Sequence, residues 1–267
     1  MKSDHPSRRD ALLAMSALMA PALGLAVAAG PPAPVVTMVR LDALYIPFLS
    51  LTSAAQADVK AAPKAAAAAA RLPAAWPALQ QALAAQPPAP ARAAAWSHAL
   101  QQATRQLTLA EQAVAKGDWK QAHEALEPVR MALMKERQAA GFDYFVDRLT
   151  AFHEPMEELA LVGATLAPGA VDAQRRRDLE QTFVSARALW RDVEQHLPDA
   201  RTYGLSAARD AQFRQGLAAE AAALSRLSDT LRGSDSAALL AAARSIKPPF
   251  AKVFTAFGLA DGESLPD

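Results

Sequence analysis

Two five-residue segments carry the chain's most chemically capable side chains. His123-Glu124-Ala125-Leu126-Glu127 and His153-Glu154-Pro155-Met156-Glu157 both read His-Glu-x-x-Glu, with Gly141 between them. Imidazole nitrogens and carboxylate oxygens are the ligands of zinc, copper(II) and iron. On a helix, residues four apart lie on one side, so each segment offers one histidine and one glutamate together. In an antiparallel hairpin closing near Gly141, residues at one level have numbers summing to about 281. His123 is then level with Glu157, and Glu127 with His153. The candidate metal ligands are therefore His123, Glu127, His153 and Glu157.

Two helices must position them. Trp119, Leu126, Val129 and Leu133 mark the buried stripe of the first. Phe145, Leu149, Phe152, Met156 and Leu159 mark that of the second. Each His/Glu pair falls to one side of its stripe, with Arg130 and Met134 near the first pair. Periodicity leaves two arrangements open. The flanks converge in one groove, or they splay and Glu127 pairs locally with His123 or Arg130. A converging set resembles the carboxylate-histidine sites of ferritin-like bundles in kind. Those use Glu-x-x-His where this chain has His-x-x-x-Glu.

Beyond the hairpin, the pattern is helical throughout and implies an all-α fold. Alanine-dense stretches, 11 glycines among 267 residues and few β-branched runs argue against a sheet. Expected helices run from Val35 to about Lys60, Ala74 to Ala85, Arg92 to Lys116, Asp118 to Ala140, Asp143 to Pro168, Asp172 to Leu197 and Ser206 to Arg232. A final one is capped by Ser234 or Asp235 and interrupted at Pro248-Pro249. Pro47 falls inside the first helix, frees the carbonyl of Ala43 and predicts a kink. Gly117 and Gly141 are stop signals.

An internal echo suggests tandem duplication. Leu41-Asp42-Ala43-Leu44-Tyr45-Ile46-Pro47 parallels Leu149-Thr150-Ala151-Phe152-His153-Glu154-Pro155. Trp76 parallels Trp190, Gly117 parallels Gly233, and Gly141 parallels Gly258. The expected organisation is a leader over 1–28, one four-helix unit over 29–140 and a second over 141–267. In this alignment His153 and Glu157 face Tyr45 and Leu49. His123 and Glu127 face Leu239 and Ala243. Polar residues at positions that are mostly apolar in the other unit are expected to be partly buried, and so to need partners.

The N-terminus reads as an export signal. Arg8-Arg9 precedes an apolar run from Ala11 to Ala29 that ends in Ala26-Val27-Ala28, a small-x-small cleavage pattern. It is similar to a twin-arginine leader and implies a periplasmic product with no membrane insertion after processing. Losing Lys2, Arg8, Arg9, Asp4 and Asp10 from 28 basic and 27 acidic side chains leaves 25 of each. A neutral chain has no bulk attraction for nucleic acid. With no cysteine, disulfides, thiolate metal sites and covalent c-type haem attachment are excluded.

Other features have simpler readings. Arg175-Arg176-Arg177 reads as a solvated helix face. Asp143, Asp147, Glu154 and Glu158 read as an outward acidic stripe. Met131, Met134 and Met156 are soft copper(I) ligands in principle and core fillers by position. No Ser-His-Asp arrangement, phosphate loop or His-Glu-x-x-His occurs, so no enzyme is expected. The reading is a periplasmic bundle binding a divalent transition metal (Zn, Cu or Fe). The first alternative is non-covalent haem held by a methionine such as Met38 opposite His98, His123, His153 or His196, as in cytochrome b562-like bundles. The second is a ligand-free scaffold with a protein partner.

Overall fold

In the computed structural model the described residues are 33–260 and 262–266; the expected leader lies outside them. They form α1 (Ala33–Ala57), α2 (Ala62–Ala85), α3 (Ala93–Ala115), α4 (Trp119–Ala139), α5 (Phe145–Thr165), α6 (Ala173–Gln195), α7 (Ala207–Arg232), α8 (Ser236–Arg244) and α9 (Lys247–Thr255). Three single-turn 3₁₀ segments lie at Val59–Ala61, Pro90–Arg92 and Pro168–Ala170. No strand occurs among the described residues.

The first helix is apolar on nearly every side because it is surrounded. It packs against α2, α4 and α9 and buries Met38, Leu41, Leu44, Tyr45, Ile46, Phe48 and Leu49. Its residues 34–57 have the length and hydropathy of a membrane span, yet most of that stretch is covered by the protein. At roughly 1.5–3 kcal/mol per fully buried large side chain, such a helix is a major contributor to stability.

Pro47 does what its chemistry requires. It leaves the Ala43 carbonyl without its intrahelical donor, and Leu259 N–H supplies a replacement at 2.9 Å. Gly258 lets the chain approach closely enough: a Cβ there would sit 2.8 Å from Pro47 Cδ. The C-terminal segment is thereby stitched onto α1.

Glycine sets the two sharp stops around α4. Gly117 (φ +72°) and Gly141 (φ +66°) occupy the left-handed region. After α3, Gly117 N–H bonds to Val114 O and Asp118 N–H to Ala113 O. After α4, Gly141 N–H bonds to Gln138 O and Phe142 N–H to Arg137 O. Both are Schellman closures, which satisfy the orphan carbonyls of a helix end. Asp118, Asp172, Ser206 and Asp235 cap the following helices through their side chains.

Three expectations change. Helix α2 begins at Ala62 and runs through Pro73 and Pro77 rather than starting near Ala74. Its alanine face packs against α1, so tertiary burial outweighs the two lost donors. Arg176 is not merely solvated: its Nη1 donates to Leu231 O and Gly233 O, closing the end of α7. Asp147 is not outward. It is buried in a bidentate pair with Arg137, while Glu154 and Glu158 are exposed.

The α4–α5 hairpin opens rather than zipping along its length. Helix α4 packs mainly on α3 and α1, and α5 on α6 and α8. Between the diverging arms lie α1 and α9. The last element exists because Pro248 and Pro249 break the final helix into α8 and α9. The core is continuous from α1 to α9.

Candidate ligand pocket

The wedge between α1, α4, α5 and α9 holds a cavity of about 390 Å³. Leu49 and Ser50 come from α1, His123, Glu127 and Arg130 from α4, His153, Met156 and Glu157 from α5, and Lys247, Phe250 and Phe254 from α9. All four residues singled out in the two His-Glu-x-x-Glu segments therefore line one space. Their side chains are 25–36% exposed, and Tyr45, Leu49, Leu239 and Ala243 are all buried.

Arg130 organises the polar side. Its Nη2 pairs with Glu127 Oε2 and donates to His153 Nδ1 at 2.7 Å. Its guanidinium lies 5.7 Å from the Phe254 ring centroid, within cation–π range. Its Nε is buried with no hydrogen-bond partner. At the other end, Lys247 Nζ pairs with Glu157 Oε1 at 2.6 Å. Glu157 Oε2 stands 4.0 Å from His153 Nε2, too far for a hydrogen bond.

These contacts place a proton on each ring. Guanidinium only donates, so His153 Nδ1 accepts and the proton sits on Nε2. Burial, then Arg130, Lys247 and His123 in that order, push the His153 pKa down to about 3. His153 is therefore a neutral imidazole. His123 Nδ1 lies 3.1 Å from Leu49 O, which only accepts, so Nδ1 carries the proton. Its Nε2 lies 3.5 Å from Glu127 Oε1. Thr52 Oγ1 also donates to Leu49 O and touches His123 Nδ1.

No group of three or more histidine or carboxylate side chains is arranged to hold a metal among the described residues. The convergence is real at the level of the pocket, but two cations stand among the candidate ligands. Of the other histidines considered, His98 and His196 are exposed, far from a core position. Met38 is buried in α1, and Met156 rather than Met38 shares the cavity with two histidines. Sequence periodicity flagged Arg130 as a neighbour of Glu127. Lys247, Phe250 and Phe254 left no such signal, because nothing local shows that α9 folds back across the hairpin.

A second polar cluster lies deeper, at the turn of the hairpin. Arg137 Nε and Nη2 donate to Asp147 at 2.8 and 2.5 Å. The same guanidinium lies 4.9 Å from the Tyr144 ring centroid. Tyr144 donates to Asp42 Oδ2 at 2.6 Å. Burial raises the Asp42 pKa to about 6, against the opposing pull of Arg137 and the Tyr144 hydrogen bond. This cluster ties α1, α4 and α5 together below the pocket.

Compared with known protein families, curated proteins and solved structures, the chain matches none.

Proposed function

We propose that this protein binds a small amphipathic organic molecule in the α1/α4/α5/α9 pocket and does not transform it. The observation that carries this reading is the pocket's division of labour. Leu49, Met156, Phe250 and Phe254 offer an apolar floor, while Arg130, His123, His153, Lys247 and two glutamates cluster at its polar side. Small-molecule sites have this composition, with volumes of roughly 300–1,000 Å³. Protection of the folded state by octan-1-ol or octanoate tests it. Saturable stabilisation that is lost when Phe250→Asp or Met156→Asp puts a charge on the floor supports the reading. Equal response of wild type and variants refutes it.

One observation favours a second reading, a divalent transition metal. A backbone carbonyl holding His123 Nδ1–H, with Nε2 turned toward a carboxylate, is the outer-shell arrangement that orients metal-ligating histidines. Ligand atoms 3.5 Å apart can share an ion ~2.0–2.2 Å from each. In this reading His123 and Glu127 form the metal half-site. His153 and Glu157 join only after Arg130 and Lys247 release them. Metal content of wild type, His123→Ala and His153→Ala separates the readings: equal content in all three ends the metal one.

Two broader proposals accompany the site. The pairing of α1 with α2 and α4, and of α3 with α4, recurs as α5 with α6 and α8, and α7 with α8 and α9. This supports descent from a duplicated four-helix unit whose final helix later broke. The Arg8-Arg9 leader supports export to the periplasm; the mass of the purified protein, mature from about Ala29, checks it.

A further inference from the structure

Resting on the small-molecule reading, we infer that the pocket's ligand is an organic monocarboxylate, seated with its head on Arg130 and Lys247 and its hydrocarbon tail on Phe250, Phe254, Met156 and Leu49.

Some charges of the site are fixed in place and others are free to move. Arg130 is the buried member of its pair, 7% exposed against 30% for Glu127. It is held from one side by Phe254 and from another by His153. A buried guanidinium cannot turn to water, whereas Glu127 can swing outward at little cost. The hydrogen bonds of Arg130 to Glu127 and His153 both use Nη2, and its Nε has no partner. Guanidinium presents five N–H donors in a fork that matches a carboxylate. Donor capacity of the guanidinium is therefore left over at the polar side of the site.

Lys247 supplies the second contact. Its ion pair with Glu157 is half exposed and spans two helices. Pairs of this kind contribute little, so an incoming carboxylate can replace Glu157 readily. The site thus already seats two carboxylates of the protein, both of which can yield their places. The field at His153 has the matching sign. Arg130 and Lys247 both oppose a further positive charge there, as cations around an anion site do. A cationic head would meet Arg130 deep in the cavity and would have to leave it unpaired.

The test compares three probes with one tail: octanoate, octan-1-ol and octylammonium. Dissociation constants come from amide chemical-shift titration of the full mature chain. Octanoate should bind about tenfold or more tighter than either of the others, about 1.4 kcal/mol of preference. In Arg130→Gln and Lys247→Gln the octanoate preference should shrink toward unity, while octan-1-ol binding stays as in wild type. The Lys247 variant, at an exposed position, covers the case in which loss of Arg130 unfolds the protein. Equal binding of octanoate and octan-1-ol overturns the carboxylate inference and leaves the pocket reading standing. Tightest binding by octylammonium overturns it too, assigning the glutamates as the anchors. Failure of all three to bind overturns the pocket reading itself.

Discussion

Arg130 donates a hydrogen bond to Nδ1 of His153 at 2.7 Å, across the gap between α4 and α5. The contact, with the Arg130–Glu127 pair, joins the two His-Glu-x-x-Glu segments through one guanidinium. Burial is the larger cause of the lowered His153 pKa, and Arg130 the next. In Arg130→Leu the His153 pKa should therefore rise above about 3 while staying below that of an exposed histidine. Imidazole nitrogen shifts followed by NMR against pH read this directly. An unchanged midpoint would show that the guanidinium does not act on the ring.

Stability should depend on pH from both sides. His153 has a folded pKa of about 3, below its unfolded value of 6.5. Between those values the unfolded chain binds more protons, so stability falls as pH drops below 6.5. Glu220 has the opposite sign. Its carboxylate is fully buried, and burial raises its pKa to about 8 from 4.5 against the opposing pull of Phe250 N–H and Arg226. The folded state then binds more protons, so stability falls as pH rises from 4.5 through 8. Asp42 acts in the same direction between 3.8 and about 6. Denaturant unfolding should give Glu220→Gln a stability gain at pH 9 that vanishes at pH 4. A loss at pH 9 would mean that the ionised carboxylate is stabilising.

The Arg137–Asp147 pair is buried on both sides. Removing one partner strands a charge, which costs about 3–5 kcal/mol. Asp147→Ala should lower the unfolding free energy by that amount, and Asp143→Ala, whose pair with Arg148 is exposed, by less than about 1 kcal/mol. Chemical denaturation of the two variants measures the contrast.

Gly163 marks a close helix crossing. A Cβ there would lie 2.5 Å from Arg244 N and 2.6 Å from Leu240 O, both backbone atoms of the α8 end. Gly163→Ala must push α8 away and should cost about 1–3 kcal/mol, since overpacking forces a backbone shift. Gly169→Ala, with open space around it, should be neutral by the same assay.

Helix positions were legible because their signals are local. Asp118, Asp172, Ser206 and Asp235 cap where their side-chain chemistry says they should. Asp143, read as the start of α5, instead pairs with Arg148, and the helix begins at Phe145 after the extended Tyr144. The clustering of His123, Glu127, His153 and Glu157 was half legible. Periodicity put each pair on one flank but held no information on whether α4 and α5 rotate toward each other. Arg130 and residues of α9 complete the pocket's lining. The burial of Arg130 and the return of Lys247, Phe250 and Phe254 from more than 90 residues beyond His153 are tertiary facts. Asp147 was misplaced for a related reason: its partner Arg137 lies on the preceding helix, so its own periodicity suggested water.

Side-chain NMR of the four described histidines tests the pocket most directly. The full mature chain is titrated with octanoate or octan-1-ol, whichever binds more tightly. His123 and His153 line the pocket, while His98 and His196 are exposed elsewhere and serve as internal references. Saturable shifts at His123 and His153, with His98 and His196 unmoved, are the predicted result. Shifts of equal size at all four, or none at His123 and His153 at saturating probe, would contradict a ligand site between α1, α4, α5 and α9.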